Sequence, residues 1–348
     1  MSQPFNLFAV GFELTTACPC HCVTCGSDAG SRRSDELDTD EWLKQVRAIA
    51  QLGAKRLCLL GGEPFLFSGW ATIARLGHDL GLDVDLISCG INVGSDAIEA
   101  AKQSGLVWIT FSVDGTEQVH ERQRGVRGGY RAVLDAIRRF DEAGLKVGVT
   151  TQLNRETLPT LDRLAEELQA AGAIGWQLQL TMPLGRAEQH PELVFLPHES
   201  QSVFSVIRRL VGRRGLRPYI TDNLGYMTAD DPVLRTPPMC PERCWCGCQA
   251  GLRSVGITSC GNVKGCLSLP DSMIEGNVRD ESLEQIWGDT SRFGYNRAYS
   301  QATLSAGCAR CQLNSVCRGG CTSVSLTTTG KPNQGPYCVR LQGDAPND

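Results

Sequence analysis

No run of about 18 apolar residues occurs in the chain, so no membrane-spanning helix is expected. Met1 to Phe12 has neither a basic n-region nor a long apolar stretch. That excludes a secretory signal there and makes a cytoplasmic location the expectation. No basic run stands out and the net charge is −4, which argues against nucleic acid as the main partner. Histidine is scarce, with 5 residues, and cysteine is missing from 90 to 239. A composition of 41% hydrophobic and 21% charged residues excludes wholesale disorder.

What the chain has is thiol: 17 cysteines in 348 residues. That is too few for a small disulfide scaffold and too many for ordinary packing. A cytosolic chain keeps its thiols reduced, so these read as metal ligands or catalytic thiols. Four lie between 18 and 25, Cys58 and Cys89 stand alone, and eleven lie between 240 and 338. The asymmetry predicts a catalytic domain with a metal site at its N-terminal edge, then a metal-rich C-terminal domain.

Between them the chain has a rhythm. Helix-like segments end in glycine and a short apolar run follows: Gly53 then Arg56–Leu60, Gly81 then Val84–Ile87, Gly105 then Leu106–Phe111, Gly144 then Val147–Thr150, and Gly172 then Trp176–Leu180. A weaker copy follows Gly215. Asp38 and Glu41 form a candidate capping box for a helix whose inner face carries Trp42, Leu43, Val46, Ile49 and Ala50. A second helix is expected over 157–171. With a strand near Ala9–Thr15, about six βα units precede residue 190. The fold class expected is α/β: a partial (β/α)6 barrel over 8–220, then a small cysteine-rich domain within 221–348. Function in such a sheet sits at the C-terminal ends of the strands.

The first strand runs into Cys18-x3-Cys22-x2-Cys25, with Cys20 as an extra thiol. Three thiolates leave a four-iron cluster with one open iron. A zinc knuckle is the competing reading, but structural zinc takes four ligands, usually in two separated pairs. The second strand ends in Gly61-Gly62-Glu63-Pro64. Two glycines at a strand end allow close approach of backbone to a ligand, and Glu63 can accept hydrogen bonds from an ammonium. The fourth strand ends in Phe111-Ser112-Val113-Asp114-Gly115.

This pattern resembles the radical S-adenosylmethionine (radical SAM) enzymes. The resemblance implies a [4Fe–4S] cluster on Cys18, Cys22 and Cys25, with S-adenosylmethionine on the open iron. Gly61, Gly62, Glu63 and Pro64 would hold its methionyl amine, and Ser112 would face the methionyl or ribose moiety. Thr24 stands where many relatives carry an aromatic residue near adenine, which leaves a backbone contact there. Ser88-Cys89-Gly90 replaces a frequent Thr-Asn-Gly, and Cys89 reads as a buried, inert thiol, with a thiol facing the active site as the alternative. Cys58 reads as core. Arg124, Arg127 and Arg131 are equal candidates for the methionyl carboxylate.

The C-terminal cysteines run Cys248-x12-Gly261-x4-Cys266, then Cys308-x2-Cys311-x5-Cys317-x3-Cys321, then Cys338. Paired zinc sites remain chemically open, because a thiolate quartet suits zinc as well as iron–sulfur clusters. The spacing resembles SPASM domains, which implies two auxiliary [4Fe–4S] clusters and three clusters in all. Cys308, Cys311, Cys317 and Cys338 would hold the distal one. Cys248, Cys266, Cys321 and one earlier cysteine would hold the other. Cys240, Cys244 and Cys246 all precede Cys248, and Cys244 is the expected ligand. Cys260 reads as a spare. Pro183–Ala187 and Asp222–Tyr226 resemble bridge elements through which Arg186 and Tyr226 would touch substrate.

Enzymes of this resemblance mostly modify peptides. The expectation is an oxidoreductase that matures a ribosomally made precursor peptide by hydrogen abstraction, leading to a crosslink or another oxidative change. A sulfatase-maturase-like protein modifier and a small-molecule dehydrogenase are the alternatives. The partners expected are the peptide, a separate leader-recognition protein and a flavodoxin- or ferredoxin-type reductant. No particular residue is marked as the catalytic acid or base.

Overall fold

The computed structural model describes residues 5–211, 215–221, 223–235 and 245–342. Seven strands run parallel and lie side by side in sequence order. They are β1 (Ala9–Glu13), β2 (Arg56–Leu60), β3 (Asp83–Ser88), β4 (Trp108–Ser112), β5 (Val147–Leu153), β6 (Gly175–Leu180) and β7 (Arg217–Ile220). The crossovers carry α1 (Thr39–Gln51), α2 (Trp70–Asp79), α3 (Ser95–Gln103), α4 (Glu117–Arg124), α5 (Gly129–Glu142), α6 (Leu161–Ala170) and α7 (Ser200–Val211). This is the expected partial barrel, longer by one strand. The weak repeat after Gly215 forms β7, paired with β6.

Local chemistry explains the boundaries. Asp38 Oδ1 accepts the Glu41 N–H at 2.8 Å, and Glu41 returns the bond to the Asp38 N–H at 2.9 Å, so α1 starts at a capping box. The five glycines expected to stop helices have φ between 75° and 98°, a region that costs other residues steric strain. The expected helix over 157–171 opens with a 3-10 turn at Leu158–Thr160 before α6 begins. Alternate strand residues such as Phe12, Leu59, Leu86, Phe111 and Val149 are buried in one continuous core with the helices. Phe12 meets Trp42 of α1 at 4.6 Å, and Phe111 meets Phe140 of α5 at 5.3 Å.

The sheet does not stop at the expected boundary near 220. β8 (Ser254–Ile257) pairs parallel to β1, on the side away from β2. β9 (Asn262–Lys264) and β10 (Gly276–Asn277) extend it antiparallel. Without β8, β1 would present a row of unpaired backbone groups at the edge of the sheet. The C-terminal segment is therefore built onto the barrel. Glu13 at the end of β1 accepts the Ser259 N–H at 3.1 Å, and Arg279 reaches Glu41 of α1 at 2.7 Å.

Candidate active site and thiol centres

Because the strands are parallel, the segments after β1, β2, β3 and β4 emerge on one side. The loop after β1 carries Cys18, Cys20, Cys22 and Cys25. Buried Glu36 gathers its start, accepting from the Thr16 N–H at 2.7 Å and the Thr15 hydroxyl at 2.8 Å. The Cys18 N–H donates to Gly30 O at 2.9 Å and closes the loop. The His21 and Val23 N–H groups donate to the last carbonyls of α4, Arg124 and Gln123, at 3.0 and 2.9 Å. From the far side, Arg186 gives its N–H to Cys25 O at 3.0 Å and its Nε to Cys22 O at 2.8 Å.

The glycine pair after β2 packs tightly against the cysteine loop. A Cβ on Gly61 would lie 2.4 Å from Thr15 O, and one on Gly62 would lie 2.3 Å from Ala17 O. The close approach they permit is to the cysteine loop itself. There the Gly62 and Glu63 N–H groups bond Thr15 O and Ala17 O at 2.6 and 2.8 Å. Glu63 is 1% exposed. It accepts from the Cys89 N–H at 2.7 Å, the Ser88 hydroxyl at 3.0 Å and the Phe65 N–H at 3.2 Å. Burial pushes its carboxyl pKa up, and these donors pull it back.

Of the three arginines that the sequence left equal, the fold brings Arg124 to the thiols. Its guanidinium pairs with buried Asp114 at 2.8 Å and lies 3.7 Å from Cys22 Sγ. Arg124 Nε is buried and has no hydrogen-bond partner among the described residues. Arg131 is spent on Glu117 at the surface, and Arg127 is exposed. Ser112 ends β4 nearly buried, two residues before Asp114, and Thr24 is buried in the cysteine loop. Beneath them, His120 Nδ1 accepts the Asp114 N–H at 3.1 Å. Burial, then the nearby Arg124 charge, lowers the His120 pKa to about 3, so the ring is neutral.

The thiols converge further than expected. Cys20, Cys22 and Cys89 form one buried group with Cys18 and Cys25 against it. The Sγ atoms of Cys18, Cys20 and Cys89 lie within 4.8 Å of one another. Cys89 is thus buried, and it faces the cysteine loop, the alternative that the sequence left open. The Cys18 thiol is held low by contact with those of Cys20 and Cys89 and by Arg124, and burial pushes the Cys25 thiol up. Cys58, expected in the core, is half-buried between the core residues Leu57 and Leu59, and burial, then the Asp85 charge, pushes its thiol well up.

Two more thiol groups stand in the C-terminal segment. Cys308, Cys311, Cys317 and Cys338 line one small cavity, closed on one side by Tyr226. A Cβ on Gly335 would come within 3.0 Å of Cys308 Sγ, so the bare glycine keeps this cradle open. Separately, the Cys248 and Cys321 thiols are in contact, Cys266 is close enough to add to the rise at Cys321, and Cys248 adds to the rise that burial causes at Cys266. Cys321 caps the helix Thr322–Thr329, whose first N–H and hydroxyl, both from Thr322, help hold the Cys248 thiol low. That helix meets the barrel where Ser323 contacts Met182, just beyond β6.

The expected fourth member of this group, Cys244, lies outside the described residues, as do Cys240 and Asp222. Cys246 is exposed, with its sulfur 3.4 Å from the Gln249 amide. Cys260 is apart from both groups and donates to Asp35 at 3.1 Å. Two bridge expectations are corrected. Arg186 is committed to the cysteine loop and to Asp28 at 2.7 Å. Tyr226 is fully buried, stacks on Trp245 at 5.3 Å, and accepts the Cys321 N–H at 3.3 Å. Glu36 and the contacts of Arg186 had no sequence signal, because they join segments far apart in the chain.

Comparison with known proteins agrees with this geometry. Residues 12–175 match the family model described as the radical SAM superfamily, and residues 246–312 match an iron–sulfur cluster-binding domain, SPASM. The chain is 25% identical to an AdoMet-dependent heme synthase of Methanosarcina barkeri, covering 96% of this chain and 97% of that protein. It is 28% identical to a PqqA peptide cyclase of Gluconobacter oxydans, covering 97% and 91%. Streptococcus suis SuiB bound to S-adenosylmethionine shares the fold, with a TM-score of 0.74 at 16% identity over 98% of this chain and 78% of that one. The AdoMet-bound anSMEcpe structure does so with a TM-score of 0.70 at 15% identity, over 96% and 95%. No described helix is long and apolar enough to cross a membrane. Residues 12–175 thus carry a radical SAM domain, and residues 246–312, behind the partial barrel, carry a SPASM domain.

Proposed function

We propose that the chain is a peptide maturase with three [4Fe–4S] clusters. Cys18, Cys22 and Cys25 hold the first. Cys308, Cys311, Cys317 and Cys338 hold the distal auxiliary cluster. Cys248, Cys266, Cys321 and Cys244 hold the nearer one. Bound at the first site, S-adenosylmethionine and its cluster supply a 5′-deoxyadenosyl radical able to take hydrogen from an unactivated C–H bond.

The chain's own residues do the rest. Glu63, fixed by three donors, accepts the methionyl ammonium. The orphaned Nε of Arg124 is the donor left for the methionyl carboxylate. Ser112 and the backbone at Thr24 line the ribose and adenine side. The observation that carries the reading is the joining of two thiol centres to one barrel: the helix capped by Cys321 rests on the barrel at Met182. A two-electron oxidation needs an acceptor for its second electron, and an auxiliary cluster beside the barrel provides one.

The peptide as substrate is supported by full-length similarity to PqqA peptide cyclases and by the shared fold of SuiB, which has been crystallised with its precursor peptide. The similarity to heme synthase, equally full-length, favours a second reading, a tetrapyrrole substrate. A leader-recognition protein and a flavodoxin- or ferredoxin-type reductant complete the peptide reading.

The test is 5′-deoxyadenosine formation by the anaerobically reconstituted chain. The substrates are a candidate precursor peptide encoded beside its gene, deuterated at its side chains, and an iron tetrapyrrole bearing propionates. Deuterium in the 5′-deoxyadenosine with peptide alone supports the first reading. Stimulation by the tetrapyrrole alone supports the second.

A further inference from the structure

We propose that Cys18, Cys20 and Cys89 form a second metal site, for one soft divalent cation such as iron(II) or zinc(II), overlapping the first cluster site through Cys18. The inference rests on the reading that Cys18, Cys22 and Cys25 hold the cluster.

Three observations carry it. The three Sγ atoms lie within 4.8 Å of one another. A tetrahedral ion with metal–sulfur distances of about 2.3 Å holds two thiolates about 3.8 Å apart, so an inward movement of the sulfurs by about 1 Å at most suffices. A four-iron cluster instead places each thiolate on its own iron. Next, Cys20 and Cys89 are 3% and 6% exposed, and neither belongs to the Cys18-x3-Cys22-x2-Cys25 set. A buried thiol trio at a strand end is a donor set that selects soft cations.

The third observation is that the trio is held from both sides. Cys89 follows β3 and its N–H is fixed on Glu63 at 2.7 Å. Cys18 is fixed by its N–H on Gly30 O at 2.9 Å. Cys22, whose thiol meets that of Cys20, is the next donor in reach for a fourth position.

The consequence is competition. Binding releases the thiol protons to solvent and forms metal–thiolate bonds. Cys18 cannot serve the single ion and the cluster together. Iron(II) at the trio is a first iron already at the cluster loop, whereas zinc(II) there blocks cluster assembly.

The test uses the cluster-free full chain under anaerobic conditions, with cobalt(II) as the probe. Wild type should bind one more cobalt per chain than the Cys20→Ala/Cys89→Ala double variant, with stronger thiolate-to-cobalt charge-transfer absorption. The Cys20→Ser/Cys89→Ser variant, closer in size and polarity, guards against misfolding and should match the alanine pair. After zinc preloading, reconstitution with iron and sulfide should leave wild type about four irons further short than the double variants.

Equal cobalt stoichiometry in wild type and both double variants overturns the site. A Cys25→Ala variant, which leaves Cys18, Cys20, Cys22 and Cys89 in place, separates this failure from failure of the cluster reading. It should keep the extra cobalt yet lose about four irons on reconstitution. If that variant loses no iron, the cluster assignment is what fails.

Discussion

The Cys89 backbone N–H donates to Glu63 Oε2 at 2.7 Å, tying the end of β3 to the turn after β2. The same carboxylate oxygen takes the Ser88 hydroxyl at 3.0 Å. Glu63 is thus oriented before any ligand arrives, and the partners that fix it in its buried place are N–H and O–H donors. Replacing it by glutamine keeps the shape and removes the charge. A hydrogen bond to a charged group is worth roughly 1.5–3 kcal/mol. Glu63→Gln should therefore weaken S-adenosylmethionine binding roughly 10- to 100-fold. Equilibrium dialysis of the reconstituted chain checks this. Iron content should stay at the wild-type level, since Glu63 is no cluster ligand.

Gly62 gives a steric prediction. Its Cβ would meet Ala17 O at 2.3 Å and Thr16 O at 2.7 Å, both backbone atoms that cannot swing aside. Gly62→Ala should push the cysteine loop away from β2, at a cost of about 1–3 kcal/mol, and reduce iron uptake at the first site. Gly94 is the control. It caps α3 with φ −82°, and a Cβ there meets nothing within 4 Å. Gly94→Ala should leave iron content and thermal midpoint almost unchanged. Equal behaviour of the two variants in iron analysis and calorimetry would contradict the geometry.

Why some of this could be read from the sequence, and some not, follows from the range of the interactions. Strand order came from a repeated local signal, glycine stops between amphipathic helices and apolar runs. The spacing of Cys18, Cys22 and Cys25 and of the later cysteines is local as well. The pairing of β8 with β1 is not, because it joins residues 9 and 254. The same holds for Cys89 against Cys18, and for Arg186 against the Cys22 carbonyl. The choice among Arg124, Arg127 and Arg131 needed the direction in which α4 points, which side-chain chemistry alone does not carry. Gly61 and Gly62 mark a close approach in the sequence but do not name the cysteine loop as its partner, because a ligand and a neighbouring loop make the same demand on the residue.

His120 sets a pH dependence. In the unfolded chain its ring takes a proton below about pH 6.5. In the folded chain burial and Arg124 hold the ring neutral down to about 3. The unfolded state therefore binds more protons between those values, and stability falls as pH drops through that window, by up to about 1.4 kcal/mol per unit. His120→Asn keeps an acceptor for the Asp114 N–H and removes the titration. Urea unfolding at pH 7.5 and 5.5 should show wild type losing roughly 1 kcal/mol more than the variant over that interval. Parallel losses would mean that the ring is protonated in the folded state.

The distal thiol quartet makes the last prediction. Cys338 lines the same cavity as Cys308, Cys311 and Cys317, whereas Cys246 is exposed with its sulfur near Gln249. Cys338→Ala should therefore lose about four irons per chain and Cys246→Ala none. The expected fourth ligand of the nearer cluster, Cys244, should behave like Cys338 when replaced. In the proposed function, cleavage of S-adenosylmethionine draws only on the site at Cys18, Cys22 and Cys25, so 5′-deoxyadenosine should still form in the Cys338→Ala enzyme when a chemical reductant is supplied. Product formation on the substrate should fall instead, because the second electron has lost part of its route. Iron analysis with parallel assays of 5′-deoxyadenosine and product checks both halves. If Cys338→Ala lowers the two products in step, the distal group does not act as an acceptor downstream of the radical.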